Sequence, residues 1–285
     1  MSQSFSMVAN LKNIILVPTD FSEACLNAAN QAISMAKLLN YEVVLLHVIN
    51  SQTKAFLKDE DLPTEAIQHK ITVLADDLSQ LNKIDIDFII REGSIFTTIS
   101  DVAEEIGANL IFLGTHGKTG IQHLTGSFAL KVISSSPVPV IVVQKRPFDK
   151  GYKDIILTVS SGLGPMEKTQ WAIYISKQFN ATIHIFVKGD ANEEIKDVAE
   201  EIANYFDKNN IGYSYKEAER HSQFAKQTCD YATSINADMI LIMTNPEKGL
   251  ASFLLGNDDE EILFNSSQIP VMCLNPRRLN YELNI

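Results

Sequence analysis

The sequence predicts an α/β fold made of two tandem units, each with a mainly parallel five-stranded sheet. Three observations predict it. Short apolar runs alternate with longer amphipathic runs along the whole chain. The apolar runs, among them "NIILVP", "EVVLLHVI" and "NLIFLG", are nearly continuous, so both faces of each strand need cover, and crossover connections then imply parallel pairing. After the charged stretch "KRPFDKGYK" the same pattern begins again.

In the first unit, "NIILVP" is a strand and "SEACLNAANQAISMAKLLN" a helix with Ala28, Ala32, Met35 and Leu39 on one face and Ser22 at its N-cap, a register one residue earlier also being open. "EVVLLHVI" is the second strand. "TEAIQHKITVLADDLSQLN" is a helix with Ile67, Ile71, Leu74, Leu78 and Leu81 on its inner stripe. Strand "IDFIIREG", helix "FTTISDVAEEIG", strand "NLIFLG", helix "GSFALKVISSS" and strand "VPVIVVQ" complete the unit; "KAFLKDEDLP" reads as a polar loop, either a lid or a connection.

The second unit repeats the order from "DIILTVSS" through "TIHIFVKG", "YSYKEAE" and "DMILIMT" to "IPVMCL". The expected boundaries are residues 1–147 and 148–285. Asn13–Asp20 aligns with Asp154–Ser161, Val44–Val48 with Ile183–Val187, and Asp101–Gly117 with Asp230–Pro246. The last strand of each unit, Val140–Val143 and Val271–Leu274, has an edge that the other can cover, which implies an intramolecular pseudo-dimer. A homodimer of tandem chains is compatible with this.

The chain of 285 residues is 45% hydrophobic, enough for packed domains. Its net charge of −11 is spread along it, with 10 basic and 15 acidic side chains in residues 1–145 and 14 and 20 in the remainder. An acidic surface without a basic stripe argues against nucleic acid and against an anionic membrane face. No membrane-span-length apolar run and no secretory signal are expected. Cys25, Cys229 and Cys273 have no metal-ligand spacing and read as reduced thiols in a cytoplasmic protein.

The fourth strand runs into "GTHGKTGIQHLTGS" and then a helix. In open α/β sheets, ligands bind beyond the carboxyl ends of the strands. Glycines aim backbone N–H groups at phosphate oxygens, and a helix N-terminus favours an anion. Gly114 and Gly117 bracket the strand exit, and Gly126 with Ser127 opens the helix. The same residues also suit a turn and an ordinary cap. Asp20, after Pro18 and Thr19 at the same sheet edge, is placed either to accept from ribose hydroxyls or to cap a turn.

Together, "ILVPTDFSE", "LLHVI" and "GTHGKTGIQHLTGS" followed by "PVPVIVV" occur in the order and on the strands seen in the universal stress protein family, which this chain resembles over its whole length as a tandem pair. The resemblance implies a Rossmann-like, adenine nucleotide alpha hydrolase-like fold that binds ATP, with Mg²⁺ at the phosphates, and acts in stress response by nucleotide-dependent binding rather than dedicated catalysis. It places ribose at Asp20 and adenine at Val48, Pro18 and Thr19. Leu113, Gly114 and Gly117 would line the phosphate side, and Gly126 and Ser127 would hold the phosphates. The ATP-binding pattern of the family has nine residues between its second and third glycines, whereas only Lys118–Thr125 intervene here. ADP, AMP or no nucleotide therefore stay open.

The second unit departs further. Met243 stands for Gly114, Pro246 for Gly117, Asn257 for Ser127 and Ser161 for Asp20, and Asp258–Glu261 crowd the helix start, so no ATP is expected there. A slow ATPase using Asp20 and bound metal, and a nucleotide-free interaction protein, are the two alternatives. No P-loop, G-x-S-x-G elbow or Ser-His-Asp spacing points to a dedicated enzyme, and no catalytic or metal-ligating residue is assigned. His47, His116 and His123 read as core or loop polarity, Lys118 as solvated, and Trp171, Phe179, Tyr205 and Phe206 as core.

Overall fold

The computed structural model describes residues 13–115, 126–147, 151–161, 165–189, 191–219, 223–244 and 258–275. The strands are β1 (Ile14–Pro18), β2 (Glu42–Ile49), β3 (Ile86–Glu92), β4 (Leu110–Gly114), β5 (Val140–Val143), β6 (Asp154–Val159), β7 (Thr182–Val187), β8 (Tyr213–Glu217), β9 (Met239–Met243) and β10 (Val271–Leu274). The helices among the described residues are α1 (Glu23–Leu39), α2 (Ser51–Asp59), α3 (Glu65–Asn82), α4 (Ile95–Glu105), α5 (Gly126–Ser135), α6 (Pro165–Phe179), α7 (Glu193–Lys208), α8 (Phe224–Ser234) and α9 (Asp258–Leu263).

The strands form one ten-stranded sheet in the order β3-β2-β1-β4-β5-β10-β9-β6-β7-β8. Within each set of five the pairing is parallel. At the centre β5 and β10 run antiparallel, with Val142 opposite Val271, Ile141 opposite Met272 and Val140 opposite Cys273. All of these side chains are buried. Each strand thus covers the other's hydrogen-bonding edge, which would otherwise be open to pairing with another chain.

Strand residues alternate between two cores. Ile15 and Val17 pack with α1 and α3, and Ile155, Leu157 and Val159 with α6 and α7, on one face. Leu16 and Ile111 pack with α4 and α5, and Ile156 and Ile240 with α8 and α9, on the other. This two-sided burial is why the inner strands carry few polar positions, whereas edge strands β3 and β8 keep Asp87, Arg91, Ser214 and Lys216.

The shared face fixes the correspondence between the sets. Ile14 pairs with Glu42 and its carbonyl accepts from Asn109, whereas Asp154 pairs with Thr182 and its carbonyl accepts from Asp238. Ile14 is therefore equivalent to Asp154, one residue away from the sequence alignment of Asn13 with Asp154. Likewise Glu42 matches Thr182, so Val44 matches His184 rather than Ile183. The counterpart of Asp20 becomes Ser160, not Ser161. An offset of one would have turned every side chain to the opposite face.

Helix α1 starts at the expected cap, where Ser22 Oγ accepts from the Cys25 amide at 3.4 Å, and it ends at Asn40 in the left-handed conformation (φ 56°). Two expectations are corrected. The stretch read as a polar loop contains α2, capped by Asn50 through the Thr53 amide (2.9 Å) and anchored by buried Leu57 against Ile49 and Ile67. Leu81, placed on the inner stripe of α3, is 79% exposed; the buried stripe runs through Ile67, Ile71, Ala75 and Leu78, and at about 100° per residue Leu81 is turned off it. Trp171, Phe179 and Phe206 are buried as expected.

Candidate functional site

Strand β1 has β2 on one side and β4 on the other, so the chain leaves it in opposite directions and a crevice opens at the carboxyl ends of these strands. A cavity of about 550 Å³ occupies that crevice, within the range of small-molecule sites. Pro18, Thr19, Asp20, Val48, Leu113 and Gly114 all line it. Gly126 and Ser127 are the first residues of α5, and Ala129, in the same first turn, also lines the cavity. The opening turn of a ten-residue helix thus stands at its wall. Gly117, with His116, Lys118 and His123, lies outside the described residues.

The turn after β1 is held from several directions. The Thr19 amide extends the β1–β2 ladder to the Leu46 carbonyl (2.8 Å), and the Thr19 hydroxyl accepts from the Phe21 amide (3.0 Å). Asp20 accepts from the Ser22 amide at 2.9 Å through Oδ1 and is exposed. Phe21 has φ of 66°, a conformation that costs a non-glycine residue energy and that these hydrogen bonds maintain. Of the two roles open to Asp20 from the sequence, the turn-capping one is thus filled.

His47 supports this turn from beneath. Its Nδ1 lies 2.8 Å from the Thr19 carbonyl, which can only accept, so Nδ1 carries the proton and Nε2 faces the Thr53 hydroxyl at 3.3 Å as an acceptor. The ring stacks on Phe21 with centroids 4.8 Å apart. Burial pushes its pKa below 6.5, against the opposing pull of the Thr19 carbonyl, so the ring is neutral at pH 7. It is a brace between β2 and the Asp20 turn.

Gly114 serves packing as well as the cavity. A Cβ there would lie 2.6 Å from the Ala24 carbonyl oxygen and 2.7 Å from Cys25 Cα, so the glycine admits the first turn of α1 against the end of β4. Cys25 also lines the cavity, but burial, with the charge of Asp20 adding to it, pushes its thiol up to about 12. It is a protonated, unreactive group at neutral pH. All three cysteines are free thiols.

Several lining residues were not singled out from the sequence. Thr115 follows Gly114 and is 6% exposed, yet its hydroxyl has no hydrogen-bond partner among the described residues. A buried hydroxyl at a cavity wall without a partner is a group awaiting a ligand or a water. Helices α2 and α3 close the opposite wall with Thr53, Phe56 and Lys70, and the Lys70 ammonium lies 4.7 Å from the Phe21 ring centroid and 5.9 Å from that of Phe56. The alternation of Gly114 with a small polar neighbour was the only trace of Thr115 in the sequence, and α2 left none.

The second set of strands is furnished differently. Met243 occupies the place of Gly114 and Ser160 that of Asp20. Lys168, at the position of Ala28, is 1% exposed and reaches the Thr158 carbonyl at 3.4 Å. Burial brings its pKa down to about 8, although the Glu167 charge opposes this. At the other end of the sheet, strand register brings together Asp154, His184 and Ser214, which no sequence spacing revealed. His184 Nε2 lies 3.0 Å from Asp154 Oδ1 and Nδ1 2.8 Å from Ser214 Oγ. The carboxylate accepts a hydrogen bond from Nε2–H, Nδ1 accepts from the serine, and the trio ties edge strand β8 to β7 and β6.

A doubly covered parallel sheet with a crevice at the strand-order reversal defines a Rossmann-like protein. The comparisons with known proteins narrow this. The Universal stress protein family matches residues 12–144. Universal stress protein MJ0531 of Methanocaldococcus jannaschii is 34% identical over 148 residues, covering 48% of this chain and 84% of that protein. Universal stress protein MJ0577 of the same organism is 30% identical over 154 residues, covering 46% and 94%. A universal stress protein from Archaeoglobus fulgidus has the same fold over 93% of this chain and 99% of its own, with a TM-score of 0.74 at 18% identity. The chain belongs to the universal stress protein family.

Proposed function

We propose that the first half, residues 1–147, binds an adenine nucleotide, ATP with Mg²⁺, in the cavity at the ends of β1, β2 and β4, and that the protein acts in stress response through occupancy of this site rather than through turnover. The observation that carries this is the set of groups around one cavity: the Asp20 carboxylate, the unpartnered Thr115 hydroxyl and the opening turn of α5. A carboxylate suits ribose hydroxyls, and a helix N-terminus suits phosphates. Apolar Pro18, Val48 and Leu113 supply a wall for a base. Among the described residues no group of three His, Cys, Asp or Glu side chains is placed to hold a metal, so Mg²⁺ would enter as the counter-ion of the phosphates.

Residues 148–285 are read as the second domain, paired with the first as an intramolecular pseudo-dimer and without ATP. The antiparallel junction of β5 and β10 supports the pairing, and Met243, Ser160 and Lys168 support the loss of the site. None of the described helices is long and apolar enough to cross a membrane. A cytoplasmic location accords with the three free thiols.

Mass spectrometry of small molecules released from freshly purified protein, paired with a phosphate-release assay, tests the reading. Bound, unhydrolysed ATP supports it. Steady phosphate release that vanishes in Asp20→Ala would instead make the protein a slow ATPase, and an empty protein that takes up no nucleotide would leave it an interaction protein.

A further inference from the structure

The duplicated fold offers an internal control, because equivalent positions at the junction of the two halves can be compared bond by bond. The Thr115 amide donates to the Val143 carbonyl and the Thr244 amide to the Leu274 carbonyl, both at 2.8 Å. Thr115 therefore matches Thr244, and the next residues along, Gln144 and Asn275, match each other. Ser136 and Asn265 play matching parts, each turning its side chain back onto the backbone of the residue before the last strand's proline, Val138 and Ile269.

The bonds at these positions are not symmetric. The Asn275 Oδ1 faces the Thr244 hydroxyl, whose one proton is shared with the Leu274 carbonyl at 2.9 Å. Its Nδ2 then donates across the junction to the Ile133 carbonyl at 2.6 Å and the Ser136 carbonyl at 3.1 Å. These are carbonyls at the carboxyl end of α5, where a helix has acceptors to spare; that of Ile133 also accepts from the Ser136 amide at 3.2 Å. Asn275, Thr244 and Ser136 are all buried, so no water competes for these bonds. In the mirror position the Gln144 amide makes, among the described residues, one long bond, 3.4 Å, to the Asn265 carbonyl. Its partner threonine, Thr115, has no hydrogen-bond partner for its hydroxyl among the described residues and lines the cavity.

We propose that Asn275, a residue of the second half, is a positioning residue for the ligand site of the first. It holds the carboxyl end of the helix whose opening turn stands at the cavity, so the half without a nucleotide site sets the placement of the helix that faces the phosphates. This rests on the nucleotide reading above. Because binding and positioning are linked, an occupied site must in turn tighten the Asn275 contacts. The second half is thereby the element through which occupancy is felt at the far side of the junction. The asymmetry gives a direction: the first half's site depends on the second, while the mirror contact through Gln144 is weak.

The test compares Asn275→Leu with Gln144→Leu in the full chain, read by amide hydrogen exchange of α5 without nucleotide and by calorimetry with ATP. Asn275→Leu should raise exchange along α5 by about tenfold while β1 and β2 keep their protection, and should weaken ATP by about tenfold. Gln144→Leu should change neither. Should Asn275→Leu fail to fold, Thr244→Val, which frees the amide but keeps it, should shift both readouts the same way by a smaller factor. Unchanged α5 exchange in a folded Asn275→Leu protein, or equal loosening by Gln144→Leu, would overturn the proposal. Wild-type protein that takes no ATP would overturn the nucleotide reading alone, since the exchange comparison needs no ligand.

Discussion

Gly114 at the end of β4 and Ala24 in the first turn of α1 are in such close approach that a Cβ on Gly114 would come within 2.6 Å of the Ala24 carbonyl oxygen. The obstruction is backbone, which cannot rotate aside. Gly114→Ala should therefore displace α1 and destabilise the protein by about 1 to 3 kcal/mol even without ligand. Chemical denaturation of nucleotide-free protein checks this; a midpoint equal to wild type would show that the glycine matters only for a ligand.

Thr115 separates folding from binding. Thr115→Val keeps the shape and removes a buried hydroxyl that has no partner, so the ligand-free protein should gain up to about 1 kcal/mol. Its affinity for nucleotide should fall severalfold. Stability and affinity moving in opposite directions is the expected outcome, measured by denaturation and calorimetry on the same preparation.

Asp20 has a turn to hold as well as a ligand to meet. Asp20→Asn retains an acceptor for the Ser22 amide but removes the charge, so the fold should stand while nucleotide affinity drops by roughly tenfold, the order of one charge-assisted hydrogen bond. Unchanged affinity would assign Asp20 to the turn alone.

Lys168 predicts a pH dependence. Its folded pKa, about 8, lies below the ordinary 10.5, so between these values the unfolded chain binds more protons than the folded one. Stability from this group therefore rises as pH climbs from about 8 to 10.5, and at neutral pH the buried charge is a cost of roughly 3 kcal/mol. Lys168→Met should stabilise the protein at pH 7, with the advantage shrinking towards pH 10. Denaturation midpoints across that range measure it; a variant weaker than wild type at pH 7 would contradict it.

Much of the fold was legible because two-sided burial writes strands as unbroken apolar runs, and because the runs recur in order. The same property hid the register between the halves. In "NIILVP" and "DIILTV" every position is apolar or nearly so, and nothing in the letters says which residue faces which core; strand pairing moved the counterpart of Asp20 from Ser161 to Ser160. Helix α2 was missed because one buried leucine and an asparagine cap suffice to hold it. Pro18, Thr19, Asp20 and Gly114 could be picked out by position at strand ends. Thr115 could not, since the lack of a partner for its hydroxyl among the described residues is a matter of tertiary placement, and Asp154, His184 and Ser214 meet only through the register of three strands.

The most direct test of the central claim is a calorimetric titration of nucleotide-stripped full-length protein with ATP and Mg²⁺, compared with Gly117→Val. One site per chain is expected in the wild type and none in the variant. Two sites per chain, or no heat from the wild type at high micromolar ATP, would contradict it.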